Sequence, residues 1–95
     1  MELQFEWHKS KAASNLRKHG VSFLTAAMAF SYRIVEREDD REDYGELRYI
    51  ALGSVDLVVY RVVYTWRVEF LIRIISAQKA NQNEREIYFG QAYSQ

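Results

Sequence analysis

The chain contains no cysteine, no proline and only two histidines among its 95 residues. Without cysteine, disulfide bonds and thiolate metal sites are excluded. His8 and His19 leave a structural zinc site short of ligands, because zinc is usually held by about four nitrogen, sulfur or oxygen atoms. No apolar run approaches the roughly 20 residues needed to span a bilayer, and the N-terminus has no secretory signal pattern. These absences predict a cytoplasmic protein with no metal, no cofactor and no membrane contact.

The motifs of common enzyme sites are also missing. There is no phosphate-binding P-loop, no glycine motif for dinucleotides, no zinc-protease motif and no nucleophile elbow. The charge is zero overall but uneven, since residues 31–46 hold three arginines against seven acids, while residues 1–30 and 47–95 each carry a balance of +2. Such an acidic block favours a partner of opposite charge, or it is a solvated loop.

Hydrophobic periodicity predicts one domain over residues 1–95 with helices and strands in separate runs. Gly20 marks the end of a first helix, Ser22 the start of a second, and Asn81 with Glu84 resembles the capping box of a last one. The order predicts an α+β fold with a mostly antiparallel sheet of about four strands, two N-terminal helices and a C-terminal helix. The predicted strands are 3–7, 32–37, 46–53 ended by Gly53, 56–66 and 68–77, with a tight hairpin near 66–67; the predicted helices are 8–20, 21–30 and 82–93.

Cations and aromatic residues are the remaining candidates for binding. Alternation along 68–77 places Arg73 on the less protected face of its strand together with Ile75 and Ala77, where it either pairs with Glu69 or is open to a ligand. Phosphates are bound by arginine and lysine, and unpaired bases stack on aromatic rings. The face is therefore a candidate for an anionic, stackable ligand, and equally for a protein interface.

Four segments of the chain form a recognisable set. In order, they are "FEWHKSKAASNLRKHGVSF" (5–23), "RYIALG" (48–53), "VVYTWR" (62–67) and "IRIISAQKANQNEREIY" (72–88). Together they resemble the BrnT family of bacterial type II toxins. This resemblance implies a compact fold similar to the RelE-like ribonuclease toxins and an activity that cuts RNA to arrest translation. It also implies a BrnA-like antitoxin with a ribbon-helix-helix part, which reads operator DNA while the toxin joins as co-repressor.

Together with the resemblance, the chemistry of RNA cleavage selects five candidate catalytic residues. RNA carries its own nucleophile, so a metal-free nuclease must remove the 2′-hydroxyl proton, stabilise the pentacoordinate phosphate and protonate the leaving oxygen. Arg73 and Lys79, with Arg48 as a third, are the candidates for phosphate stabilisation. His19 is the acid–base candidate, with Tyr64 behind it.

Two positions depart from the family pattern. Members commonly have aspartate where this chain has His8, and arginine where it has Gln78. Replacing arginine by glutamine removes a permanent cation and its two-pronged hydrogen bonding. The chain is then a weak or inactive toxin, or His8 and Lys79 compensate, or position 78 serves antitoxin docking. A non-catalytic interaction module and a plain RNA-binding domain are the alternatives to a ribonuclease.

Overall fold

In the part of the chain that the structure describes, five strands form one sheet and three helices pack against it. The computed structural model describes the backbone of residues 2–93 and the side chains of residues 2–90. The strand order across the sheet is first, fifth, fourth, third, second. The elements are β1 (Gln4–Glu6), α1 (Lys9–His19), α2 (Phe23–Met28) continued by a 3₁₀ turn (Ala29–Ser31), β2 (Ile34–Glu38), β3 (Tyr49–Val55), β4 (Val58–Val68), β5 (Leu71–Lys79) and α3 (Gln82–Tyr93).

The sheet is mixed, because β1 runs parallel to β5 with Gln4 opposite Leu71 and Glu6 opposite Arg73. The other neighbouring strands are antiparallel. The α+β class and the mostly antiparallel pairing are confirmed, but the sheet has five strands rather than about four, and the β1–β5 pair is parallel. A three-residue strand that pairs with residues more than 60 positions away carries no local sign of its partner or its direction.

The helix ends follow the local signals in the sequence. Gly20 adopts the left-handed conformation, with φ of 69°, and its amide donates to the Leu16 carbonyl at 2.9 Å. The Ser22 hydroxyl accepts from the amide of Thr25 at 3.1 Å and so caps α2. Asn81 and Glu84 form a reciprocal capping box, with hydrogen bonds of 2.8 and 2.9 Å. The three predicted caps are confirmed.

The core lies on the face of the sheet that α1 and α2 cover, and a smaller apolar cluster lies on the other face under α3. Burying the β-branched and aromatic side chains of the long central strands between these layers is the main stabilising term of the fold. The larger cluster contains Val21, Phe23, Ala26, Ala51, Val62, Tyr64, Ile72, Ile74 and Ala77, and the smaller contains Leu52, Val59, Ala80 and Tyr88.

A bulge in β5 changes which side chains share a face. Val63 lies opposite Ser76 and Tyr64 lies opposite Ile74, so Ile75 is an extra residue. Beyond the bulge the alternation is shifted by one, as an inserted residue requires. Ala77 therefore joins the buried core, and the prediction that it shares a face with Arg73 is wrong.

Two further boundaries differ from the prediction. Gly53 lies inside β3 rather than at its end. The residue there is glycine because the 3₁₀ turn crosses it closely, and a Cβ would lie 2.5 Å from the Ala29 carbonyl oxygen. The β4–β5 hairpin turns at Glu69 and Phe70 rather than near residues 66–67. No glycine is needed there, since Phe70 itself takes the left-handed conformation with φ of 67°.

Candidate functional site

Asn15 fastens α1 to the free edge of β5. β1 pairs with β5 only at residues 71–73, so the remainder of that edge needs other partners. The Asn15 amide donates to the carbonyls of Ala77 (2.8 Å) and Val21 (3.0 Å), and its oxygen accepts from the Ala77 amide at 3.1 Å. Asn15 is only 6% exposed. One buried side chain thus satisfies backbone groups that a further strand would otherwise pair.

Asn15 is a functional residue that the sequence analysis did not select, because hydrophobic periodicity favours apolar residues such as Leu16 on the buried side of a helix. Leu16 is instead 51% exposed. The usable signal was a polar residue in the middle of a helix, where asparagine is a poor helix former and often has a specific hydrogen-bonding role.

The attachment of α1 to β5 creates a cationic groove, here called the α1 groove, with a volume of about 230 Å³. Residues three, four and seven positions apart on a helix lie on one side of it, which gathers two lysines and a histidine over the strand. Among the described residues that line the groove, none is acidic. The lining residues are Lys11, Ser14, Asn15, Lys18 and His19 from α1, and Ile75 and Ser76 from β5.

The α1 groove is suited to a phosphodiester. Ammonium groups form charge-assisted hydrogen bonds with phosphate oxygens, and serine hydroxyls can donate to the same oxygens. The exposed His19 lies in the last turn of α1 and supplies an imidazole, a common acid–base group of active sites. Of the five predicted catalytic residues, His19 is the one that lines this groove.

Arg73 lies beside the groove on the same strand. It is opposite Thr65, and Ser76 is opposite Val63, so both point to the face of the sheet away from the main core. The Nε of Arg73 donates to the Glu6 carboxylate at 2.7 Å, and the Arg67 Nε lies 3.5 Å from the same oxygen. Arg73 therefore pairs with Glu6 on β1, and not with Glu69 as one of the two predicted alternatives had it.

Lys79 and Arg48 lie away from the groove. Lys79 is exposed at the end of β5 opposite Tyr60, on the other face of the sheet from Arg73. The Arg48 Nε contacts Glu46 at 3.0 Å, and its guanidinium lies 4.2 Å above the centre of the Tyr44 ring. Sequence alternation could not separate Arg73 from Lys79, because the bulge at Ile75 lies between them.

Tyr64 lies inside the core. It is 1% exposed, and its hydroxyl donates to the Glu36 carboxylate. Burial, and then the hydrogen bond to Glu36, raise the pKa of Tyr64 well above its ordinary value. The phenol is therefore neutral, and its position favours a structural role over contact with a substrate.

Gln78 borders an existing ion pair. It lies directly opposite Arg61 on β4. The Arg61 Nε contacts the Glu84 carboxylate at 3.1 Å, and the two side chains are only 15% and 19% exposed. An arginine at position 78 would therefore face a second guanidinium across one shared carboxylate.

The acidic segment, residues 31–46, contains ion pairs and hydrogen bonds between its own residues. Asp39 is 3% exposed and accepts hydrogen bonds from Arg41 at 2.7 and 2.8 Å and from the Tyr44 hydroxyl at 3.2 Å. The hydrogen bond from Arg41 lowers the pKa of Asp39 to about 2, although burial opposes this shift. The sequence shows a run of acids here but not which of them is buried.

Within the described part of the chain, His, Asp and Glu side chains form no group of three that could hold a metal ion. None of the described helices is long and apolar enough to cross a membrane.

The family model that describes BrnT, the ribonuclease toxin of a type II toxin-antitoxin system, matches residues 7–84. The crystal structure of the Brucella abortus ribonuclease toxin BrnT is similar, with a TM-score of 0.62 and 20% sequence identity over 84% of this chain and 99% of that one. At that identity the likeness shows the fold alone. None of the curated proteins matches the chain.

Proposed function

This chain belongs to the BrnT family of ribonuclease toxins of type II toxin-antitoxin systems, and we propose that it cleaves RNA in the α1 groove without a metal ion and so arrests translation. One observation carries the proposal. The groove brings Lys11, Lys18 and His19 together with two serine hydroxyls, and none of its described lining residues is acidic. All of these residues lie within the segment that the family model matches.

The chemistry needs no group beyond those of the groove and water. His19 takes the proton from the 2′-hydroxyl, and the 2′ oxygen then attacks the adjacent phosphorus. Lys11 and Lys18 stabilise the extra negative charge of the pentacoordinate phosphate. The bond to the 5′ oxygen breaks and that oxygen takes a proton from water in the open groove, leaving a cyclic 2′,3′-phosphate.

The other predicted residues take supporting parts in this proposal. Arg73 binds a neighbouring phosphate, because it shares a strand face with Ser76. Lys79 and Arg48 lie outside the groove and contribute to the long-range attraction of RNA. Tyr64 holds β2 to the core through Glu36 and does not touch the substrate.

We propose that the partner in the cell is a BrnA-like antitoxin with a ribbon-helix-helix part, so that DNA is contacted only through the antitoxin. The acidic segment supports a basic protein surface as partner, since opposite charges guide association. A similarity to RelE-like toxins and a cytoplasmic location are part of the same proposal. The alternative is a catalytically weak interaction module that acts as co-repressor, and Gln78 favours it.

The test is cleavage of single-stranded RNA by the purified chain in EDTA, together with growth arrest on expression and its relief by an antitoxin. His19→Ala should lower the cleavage rate by about 10²–10⁴-fold, the usual contribution of a general acid–base group. His8→Ala is the matched control, because His8 is exposed just before α1 and does not line the groove.

Metal-free cleavage that His19→Ala abolishes and His8→Ala leaves intact would support the proposal. If neither the wild type nor Gln78→Arg cuts RNA or arrests growth, the ribonuclease assignment fails. Tight antitoxin binding without RNA turnover would favour the interaction module instead. Salt-dependent RNA binding without either cleavage or toxicity would indicate a plain RNA-binding domain.

A further inference from the structure

We propose that a cluster of five aromatic rings on the sheet is the docking surface for the antitoxin, and that it takes an amphipathic helix whose apolar side is flanked by lysine or arginine. The proposal rests on the proposed function, because it names the surface through which the proposed partner binds. The five rings, here called the aromatic face, are those of Phe5, Phe30, Tyr49, Tyr64 and Trp66.

The register of the sheet places the strand residues of the aromatic face on one side. Tyr49 of β3 lies opposite Tyr64 of β4. Two residues further along β4, Trp66 lies opposite Ile72 of β5, and Ile72 in turn lies opposite Phe5 of β1. Tyr64 and Ile72 belong to the main core cluster. Because paired residues of neighbouring strands point to the same side, all of these side chains lie on the face that α1 and α2 cover.

The rings also contact one another. Phe30, from the 3₁₀ turn, packs edge-on against Tyr64 with the ring centres 5.1 Å apart, and its centre lies 5.5 Å from that of Phe5. The ring centres of Tyr49 and Trp66 lie 5.6 and 6.1 Å from that of Tyr64. These distances are typical of favourable aromatic pairs. The five rings therefore form one continuous surface with Tyr64 as its buried centre.

The helices leave the aromatic face incompletely covered. Trp66 is 44% exposed, and three of the other rings are only partly buried. Beyond Trp66 the apolar surface continues into a depression of about 300 Å³ that Val68 and Phe70 also line. A contiguous exposed apolar surface on a small protein usually marks an interaction site. Since α1 and α2 already form a helical layer on this side of the sheet, a helix from a partner would extend that layer.

Three glutamates border the aromatic face. Glu38 lies opposite Tyr49 on the same side of the sheet, and Glu36, two residues earlier on β2, accepts the hydrogen bond of the Tyr64 hydroxyl. Glu69 is the one charged residue among those that line the depression. Within the described part of the chain, these three glutamates form no ion pair. The surface therefore has an apolar centre and unpaired negative charge at its border.

This combination selects a basic protein segment over RNA. Phosphates would be repelled by the glutamates, since nucleic acids are held mainly by cations. An amphipathic helix with lysine or arginine beside its apolar residues would bury those residues against the rings and place its cations next to the carboxylates.

The aromatic face is also continuous with the acidic segment, which supports a basic partner in the proposed function. β2 (Ile34–Glu38) lies within that segment. The hydrogen bond between Glu36 and Tyr64 joins the segment to the centre of the ring cluster. One partner can therefore contact the rings and the acids of β2 together.

The test is calorimetric titration of the full chain with the ribbon-helix-helix protein encoded beside it. Trp66→Ser should weaken the affinity by about 30-fold or more, the usual effect of removing an aromatic hot spot. Phe89→Ser is the matched control, because Phe89 is 37% exposed on α3, which packs on the other face of the sheet. Its affinity should stay within about twofold of the wild type.

Val68→Lys is a second variant that does not depend on a packed ring. Val68 is 65% exposed, so a lysine there remains in water in the free chain and thermal stability should be unchanged. In the complex the new cation would face a basic partner, and the affinity should fall by about 10-fold or more.

The charged border is tested by salt dependence. Glu38→Lys should weaken the affinity by about 2- to 30-fold at low salt, because it replaces one exposed attraction by a repulsion. The difference from the wild type should shrink at high salt. Glu86→Lys makes the same change of charge at an exposed position of α3, and it should leave the affinity unchanged.

Three results would overturn the docking surface. The first is a wild type that does not bind the antitoxin, or variants Trp66→Ser and Val68→Lys that bind it as the wild type does. The second is a dimer of the chain alone that Val68→Lys dissociates in sedimentation equilibrium, which would assign the surface to a second copy. The third is weaker binding of a 2′-O-methyl oligoribonucleotide by Trp66→Ser, which would assign the surface to RNA.

The two proposals fail in different ways. Antitoxin binding that depends on Trp66 and Val68, without any cleavage of RNA, would keep the docking surface and remove the ribonuclease. Cleavage of RNA together with antitoxin binding that neither variant weakens would keep the ribonuclease and remove the docking surface. If both are correct, Trp66→Ser cuts RNA at the rate of the wild type and needs a higher concentration of antitoxin for the same inhibition.

Discussion

The two edges of the sheet carry opposite charges, and they differ in whether those charges are paired within the protein. At the β2–β3 edge the buried Asp39 is neutralised by Arg41, and Arg48 is paired with Glu46, all within a few residues along the chain. At the α1–β5 edge, Lys11 and Lys18 border a groove whose described lining residues include no acid. At the acidic edge, ion pairs between neighbouring residues order a loop. At the basic edge, the lysines of the groove are available to a ligand.

This difference separates candidates that residue type alone places together. The sequence makes Arg48 a candidate for phosphate stabilisation and His19 a candidate for acid–base catalysis. In the structure Arg48 contacts Glu46 and the Tyr44 ring, while His19 lines the α1 groove.

The largest expected gain of activity comes from adding a cation to the basic side. Gln78→Arg places a guanidinium on the strand face that carries Arg73, and we expect cleavage to rise by up to about 10²–10³-fold, the worth of one oxyanion-stabilising donor. The measurement is the initial rate on single-stranded RNA. Gln82→Arg adds the same charge on exposed α3 and is the control.

An unchanged rate for Gln78→Arg would mean that Arg61 and Glu84 hold the new guanidinium away from the substrate. An equal rise for Gln82→Arg would show that net charge, and not position, controls activity.

Reversing charge at the basic edge should abolish the contrast between the edges. Lys11→Glu with Lys18→Glu should weaken RNA binding about 100-fold at physiological salt, and lower the slope of log affinity against log salt by about 1.4, for two phosphates. The measurement is anisotropy titration at several salt concentrations. Asp40→Lys with Glu42→Lys changes the acidic edge instead, and RNA affinity should stay within about twofold.

Comparable losses of RNA affinity from changes at both edges would contradict the assignment of RNA to the basic side. Antitoxin affinity provides the opposite readout, since charge reversal in the acidic segment should weaken it in a salt-sensitive way if that segment is the contact.

Removing the attachment of α1 should destabilise the basic edge as a whole. Asn15→Ala leaves the Ala77 amide and carbonyl and the Val21 carbonyl without their buried partner. We expect the free energy of unfolding to fall by about 2–3 kcal/mol, the cost of unsatisfied buried polar groups. Chemical denaturation measures it, and Ser14→Ala on the same helix is the control. Equal stability of the two variants would show that water replaces Asn15 at little cost.

How much of this could be predicted from the sequence depended on the range of the interaction. Gly20, Ser22 and the Asn81–Glu84 box act within one helical turn, so their roles were correctly predicted. The pairing of β1 with β5 and the contact of Asn15 with Ala77 join residues about 60 positions apart, and no local pattern encodes them.

The candidate site shows the same division. Residue chemistry and family resemblance selected His19 and Arg73. Strict alternation could not reveal the bulge at Ile75, which places Arg73 and Lys79 on opposite faces of the sheet. The groove itself depends on how α1 docks against β5, which is a tertiary contact. Lys11, Lys18 and Ser76 were therefore not selected as catalytic from the sequence.

The stability of the loop at the acidic edge should depend on pH, because a buried carboxylate, that of Asp39, holds the loop together. Asp39→Asn should lower the free energy of unfolding at neutral pH by about 1–3 kcal/mol, the cost of a lost charged hydrogen bond in a buried position. Asp39 has a folded pKa of about 2, below its value in the unfolded chain of about 3.9. Its stabilisation is therefore complete above about pH 4 and is lost as the pH falls towards 2.

Denaturation of the wild type and Asp39→Asn between pH 2 and 7 measures this difference, and Asp40→Asn, at an exposed neighbour, is the control. The gap in stability between wild type and Asp39→Asn should be constant near neutral pH and narrow below about pH 4. A gap that does not change with pH would show that the hydrogen bonds to Arg41 and Tyr44, rather than the ionisation of Asp39, stabilise the loop.

The smallest expected effect is that of Arg48. Its ion pair with Glu46 and its contact with the Tyr44 ring are both near the surface, where each is worth less than about 1 kcal/mol. Arg48→Ala should therefore lower stability only slightly, and it should leave RNA cleavage within about twofold if Arg48 contributes through long-range attraction alone. A loss of activity as large as that of His19→Ala, without a loss of stability, would return Arg48 to the catalytic residues. It would also mean that the loop of the acidic edge moves to meet the RNA, so that the two edges act as one site.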